Sequence, residues 1–125
     1  MAAGVDDGSI LNDAGLLRRI RPDQVINDKS SGVYRPSSAA FRAASMSVDA
    51  EPILEASGLD WHFSLSNYPG YSLVRFFAGV ARANGLAVVS TPIPDNPAHT
   101  DVIGKKTNRI AHNLRDASTW VHKEA

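Results

Sequence analysis

The sequence predicts an α+β fold: a small mixed sheet of about five short strands, with two main helices packed on one face. Three observations carry this reading. Leu73, Phe76, Phe77, Val80 and Ala81 recur at helical spacing, and Ile110, Ala111, Leu114, Ala117 and Val121 form a second such stripe. "LAVVSTPI" follows the first stripe directly after Gly85, a helix–glycine–strand run common in mixed folds. "AHTDVIG" and "DWHFSL" alternate with the period of two expected of half-buried strands.

The elements follow in order. Residues 1–14 are small, polar and rich in Gly and Asp, and read as a flexible lead-in to a single α+β domain over 15–125. "LLRRI" (16–20) is a strand ended by Pro22, and "NDKSSG" (27–32) has turn chemistry. "VYRPSSAAFR" (33–42) is extended, and Pro36, which has no N–H to donate, confines it to a sheet edge or a loop. "MSVDA" (46–50) is a short strand or a lead-in to the helical turns of "EPILEAS", which Gly58 ends. A half-buried strand over 60–65 precedes the turn "SNYPG". Next come a helix over 71–84, a strand over 86–93, the stiff loop "PIPDNP" and a strand over 98–104. The last helix spans 107–122, capped by Thr107 or Asn108, with His122 and Lys123 in its final turn.

Composition narrows the function classes. Hydrophobic residues make up 43% and charged residues 21% of 125, which is globular rather than disordered. No apolar run is long enough to cross a membrane, so a soluble protein is expected. The lack of cysteine removes thiol chemistry and the usual structural zinc sites, and fits a cytoplasmic location. Thirteen basic residues balance thirteen acidic ones, against the basic excess of nucleic-acid binders. The basic residues Lys105, Lys106, Arg109, Arg115 and Lys123 still give the C-terminal stretch a mild positive bias.

Candidate chemistry gathers in two stretches. His99 and Asp101, two apart on a strand, share a face and lie ~6–7 Å apart at the backbone. An acid beside a histidine suits acid–base catalysis, so these are the catalytic candidates; the plainer account is a polar strand face. Lys105 and Lys106 before a helix would suit an anion at the helix start, although the phosphate-loop spacing fails. Arg35, Ser37 and Ser38 could hold a phosphate or carboxylate through a guanidinium fork and hydroxyls. Joining His62 to His99 and Asp101 would make a two-His, one-carboxylate set, but nothing in the sequence brings them together, so no metal is assigned. The dinucleotide, zinc-protease and calcium-loop motifs are absent, and no cofactor is implied.

An Arg-bearing strand (Arg18, Arg19, Arg21) followed by the Ser37–Ser38 segment is similar to ADP-ribosyltransferase-like enzymes. That resemblance covers only a few positions and implies a later glutamate, yet none lies between Glu55 and Glu124. Two function classes follow. The first is a small binding or regulatory module acting through a protein partner. The second is a small enzyme on a phosphate-bearing or nucleotide-like ligand, ADP-ribosyltransferase-like or a metal-assisted hydrolase. Convergence of Arg35, Ser38, His99 and Asp101 in one cleft would favour the enzyme, and dispersal the module.

Overall fold

A computed structural model describes residues 6–28 and 30–124. Residues 1–5 of the expected lead-in, Lys29 of the expected turn and Ala125 lie outside the described residues. The fold is α+β, built on a six-stranded sheet in which every pairing is antiparallel rather than mixed. Its strands are β1 (Gly15–Ile20), β4 (Ser45–Ala50), β5 (Ser72–Phe77), β6 (Ala87–Ser90), β7 (His99–Ile103) and β8 (Thr119–His122). They lie in the order β6-β7-β4-β1-β5-β8. Strands β2 (Val25–Asp28) and β3 (Val33–Pro36) form a separate antiparallel hairpin.

Helices cover both faces of the sheet, not one. Leu16, Ile20, Met46, Val48, Val74, Phe76, Val88 and Val102 project to one side. There they meet Ala81 of α3 (Ala78–Ala83), Ala111 and Leu114 of α4 (Asn108–Ala117), and Phe41 of a 3-10 turn at Ser38–Phe41. On the other side Leu17 and Leu73 meet Leu54 of α1 (Glu51–Ala56) and Trp61, Phe63 and Leu65 of α2 (Trp61–Leu65). The core is thus two apolar layers split by the sheet, the larger of them under α3 and α4.

Three elements differ in type from the sequence reading. Residues 72–77 are strand, and the helix expected from 71 begins only at Ala78. β5 lies between β1 and β8, and its two faces meet the two apolar layers. Such a strand is apolar on both faces and loses the alternation that marks a half-buried one. Phe76 is fully buried and Phe77 is 48% exposed, so the stripe's expected centre faces outward. Arg75, expected to face solvent, forms an ion pair with Glu51 of α1, Nη2 to Oε2 at 2.8 Å. Gly15 makes room for that pair, because a Cβ there would fall 1.9 Å from Glu51 Oε1.

Residues 61–65, expected as a strand, form a short helix. Asp60 caps it, its carboxylate accepting from the His62 amide at 3.0 Å. Trp61, Phe63 and Leu65 still meet one apolar cluster, because over a single turn i, i+2 and i+4 need not diverge. The last helix ends at Ala117 rather than 122. Beyond it Trp120 packs against the larger core layer and Val121 against the smaller, the alternation of a strand. The extended run expected over 33–42 stops at Pro36, and Ser38–Phe41 form a 3-10 turn capped by Ser37; the other expected boundaries hold to within a few residues. Gly58 and Gly85, at φ 74° and 77°, lie just past α1 and α3, where a left-handed residue ends a helix.

Residues 6–14 are not detached from the core. Ile10 and Ala14 are each 4% exposed. Asp6 pairs with Arg82 at 2.9 Å and also accepts the Val88 amide of β6, while the Asp7 amide donates to the Val88 carbonyl.

Candidate functional site

Alternation places Arg19, Ser47, Asp49, His99 and Asp101 on the α1/α2 side of the sheet, since cross-strand partners share a face. Asp49 of β4 is fully buried there and answered by three side chains. Its Oδ2 accepts from the Ser64 hydroxyl at 2.6 Å and from the Arg19 guanidinium at 3.1 Å. Its Oδ1 accepts from the Asn96 amide at 2.8 Å. Asn96 in turn accepts the Ala98 amide, and Arg19 Nε donates to the Ser64 carbonyl. A buried charge is tolerable only when it is paired and hydrogen-bonded, and this one is. One carboxylate therefore ties β1, α2 and the 91–98 loop together.

An open cleft of about 320 Å³ lies over this network. Arg19, Asn96 and His99 line it, with Ser66, Asn67, Tyr68, Ile93 and Asp95 around them. The Arg19 guanidinium lies 4.2 Å from the centre of the Tyr68 ring, a cation–π contact. His99 Nδ1 is 3.0 Å from the Thr91 carbonyl and 2.9 Å from its hydroxyl. A carbonyl can only accept, so Nδ1 donates, and in that tautomer Nε2 is the ring's acceptor. Tyr68 and Ile93 are 38% and 48% exposed and offer apolar surface beside a polar floor.

The expected site residues fall in several places. His99 and Asp101 share a face as expected, yet only His99 lines the cleft. His62 is on α2, exposed, with Nδ1 3.0 Å from Asp60 and its ring stacked on Trp61 at 3.7 Å. It is therefore not joined to His99 and Asp101, and among the described residues no three His, Cys, Asp or Glu are grouped to hold a metal. Ser37 caps the 3-10 turn by accepting the Ala39 amide, and Ser38 accepts from Arg42, so both hydroxyls serve local structure. Arg35 is on the hairpin, beside a different cleft that Arg115 and Trp120 also line.

Lys105 is exposed, whereas Lys106 is turned inward. Its ammonium donates to the carbonyls of Ala44, Val102 and Gly104 at 3.2, 2.9 and 3.0 Å, which uses all three protons and leaves none for an anion. Thr107 caps α4 through the Ile110 amide, so the helix start is closed by its own side chain. Burial, reinforced by the nearby Arg18 cation and partly offset by Asp101, pulls the Lys106 ammonium down to about 8. The unfolded chain, titrating near 10.5, then holds a proton that the folded chain lacks between those two values. Stability attributable to Lys106 therefore rises from about pH 8 to 10.5, by up to about 3 kcal/mol. Urea unfolding across that range, wild type against Lys106→Met, should show the rise only in the wild type.

Asp49, Ser64 and Asn96 were not singled out from the sequence. A polar residue inside the apolar stretch "MSVDA" was the signal for Asp49, but it read equally well as a helix start. Arg19 stood only among the early arginines. Compared with family models, curated proteins and solved structures, the chain matches none. No helix among the described residues is long and apolar enough to cross a membrane.

Proposed function

We propose that the chain is a binding module whose recognition surface is the Arg19–His99 cleft, and that it accepts an uncharged, hydrogen-bonding segment of a protein partner. The observation that carries this reading is the buried Asp49 network beneath an open cleft. Asp49 neutralises Arg19, and Asp95 adds a negative charge at the rim, so a free anion gains little there. What remains is directional. Arg19 keeps N–H groups beyond those bonded to Ser64 and Asp49, and His99, with Nδ1 donating to Thr91, adds Nε2 as an acceptor. A peptide amide offers both complements. Tyr68 and Ile93 supply the larger, stiffer contacts that protein partners use as anchors. Of Arg35, Ser38, His99 and Asp101 only His99 lines this cleft, which favours a module over an enzyme built on those four.

Two-dimensional amide spectra test the reading. Titration with N-acetylated, C-amidated dipeptides should shift residues 19, 66–68, 96 and 99 saturably, and Tyr68→Ala should abolish the shifts. Stronger shifts of the same residues by inorganic phosphate, or no saturable shift with any capped dipeptide, would overturn it.

A further inference from the structure

A second cleft, of about 460 Å³, lies between the hairpin and the C-terminal strand. Val74 is on its floor, and Val74 points to the α3/α4 side of the sheet, so this cleft is separate from the one over Asp49. Its walls come from elements distant in sequence. Tyr34 and Arg35 belong to β3, Arg115 to the last turn of α4, and Trp120 to β8. The Trp120 indole N–H donates to the Tyr34 carbonyl at 3.2 Å, which fixes hairpin and strand to one another. Lys123 lies 4.1 Å from the centre of the Tyr34 ring, outside the cleft lining, and steadies that ring.

The charge balance here is the reverse of the first cleft. Arg35 has no carboxylate partner among the described residues. Arg115 pairs with Asp116, a neighbour whose side chain is 66% exposed and so screened by water. Two guanidinium groups thus stand against one solvated carboxylate around two aromatic side chains in the cleft lining. Guanidinium groups match the oxygens of a phosphate, and flat rings match the faces of a base.

We infer that this cleft binds a small aromatic anion of the mononucleotide class, its phosphate between Arg35 and Arg115 and its ring against Trp120 or Tyr34. The sequence offers Arg35 as an anion ligand beside Ser37 and Ser38; the inference pairs it with Arg115 instead. The inference rests on a different cleft from the proposed function, so either can fail alone.

The probe is adenosine monophosphate, followed by fluorescence of the Trp61→Phe protein, in which Trp120 is the sole tryptophan, and by the Trp120 indole N–H resonance of the wild type. Saturable quenching and a matching shift of the indole resonance are expected. Arg35→Ala and Arg115→Ala, both with unchanged melting curves, should each raise Kd about tenfold or more, the loss of one charge-assisted contact. Binding should weaken with added salt. Adenosine binding as tightly as the monophosphate would remove the arginines from recognition, and inorganic phosphate binding as tightly would remove the rings. Either result overturns the inference, as does the absence of saturation by ~10 mM ligand.

Discussion

Phe76→Ala should cost about 3–5 kcal/mol, the range for truncating a buried aromatic, and Phe77→Ala under about 1 kcal/mol. Phe76 is fully buried in a strand with neighbours on both sides, and meets Phe41 edge to face, ring centres 6.2 Å apart at 73°. Truncation would open a void facing the 3-10 turn at Ser38–Phe41, which packs against α4. Phe77 is about half exposed and loses little on truncation. Urea unfolding of the two variants decides the matter. The reverse ranking would mean that residues 72–77 present their other side to the core.

Asp49→Ala should also cost about 3–5 kcal/mol, because it strands the Arg19 cation in a poorly hydrated place. The loss exceeds that of any one hydrogen bond, since Ser64 and Asn96 lose their acceptor together. Asp49→Asn keeps the shape and one acceptor oxygen but not the charge, and should fall between Ala and wild type. Chemical denaturation ranks the three proteins, and amide spectra of the Asn variant should show displacement at residue 99 as well as near residue 49. Equal stability of all three would mean that the network adds nothing to the folded state.

The sequence was most legible where local chemistry dictates structure. Gly58 and Gly85 mark helix ends, Thr107 caps α4, and "HTDVI" is a half-buried strand, all from signals within a few residues. It misled where tertiary context decides. "SLVRFF" carries apolar residues on both faces because an apolar layer covers each face of the sheet, and a stripe drawn through it mimics helical spacing. "DWHFSL" is too short for its period to separate one helical turn from a strand. "STWVH" continues an apparent helical stripe only because the α4 pattern and β8 abut.

The candidate site was legible in part for a related reason. His99 stands out by type and by its place on a strand. Its companions are separated in sequence: Arg19, Asp49, Ser64 and Asn96 are brought together only by the strand order β7-β4-β1 and by α2. No spacing rule connects residue 19 to residue 96. The lysine pair shows the converse: Lys105 and Lys106 are adjacent in the chain, yet one faces water and the other three carbonyls.

The contact of residues 6 and 7 with β6 has a bearing on how copies of the chain meet. An outermost strand offers unpaired amides and carbonyls to any similar strand that drifts past. At Val88 both groups are already taken, the amide by Asp6 and the carbonyl by Asp7. Arg82 holds the Asp6 carboxylate in place, so the cover is fastened by charge as well as by backbone. A protease cutting after residue 8 would leave the catalogue of core contacts nearly intact and strip this guard. The clipped chain would then present a bare β6, and its characteristic failure would be polymerisation through that margin, growing with concentration, before any loss of internal order.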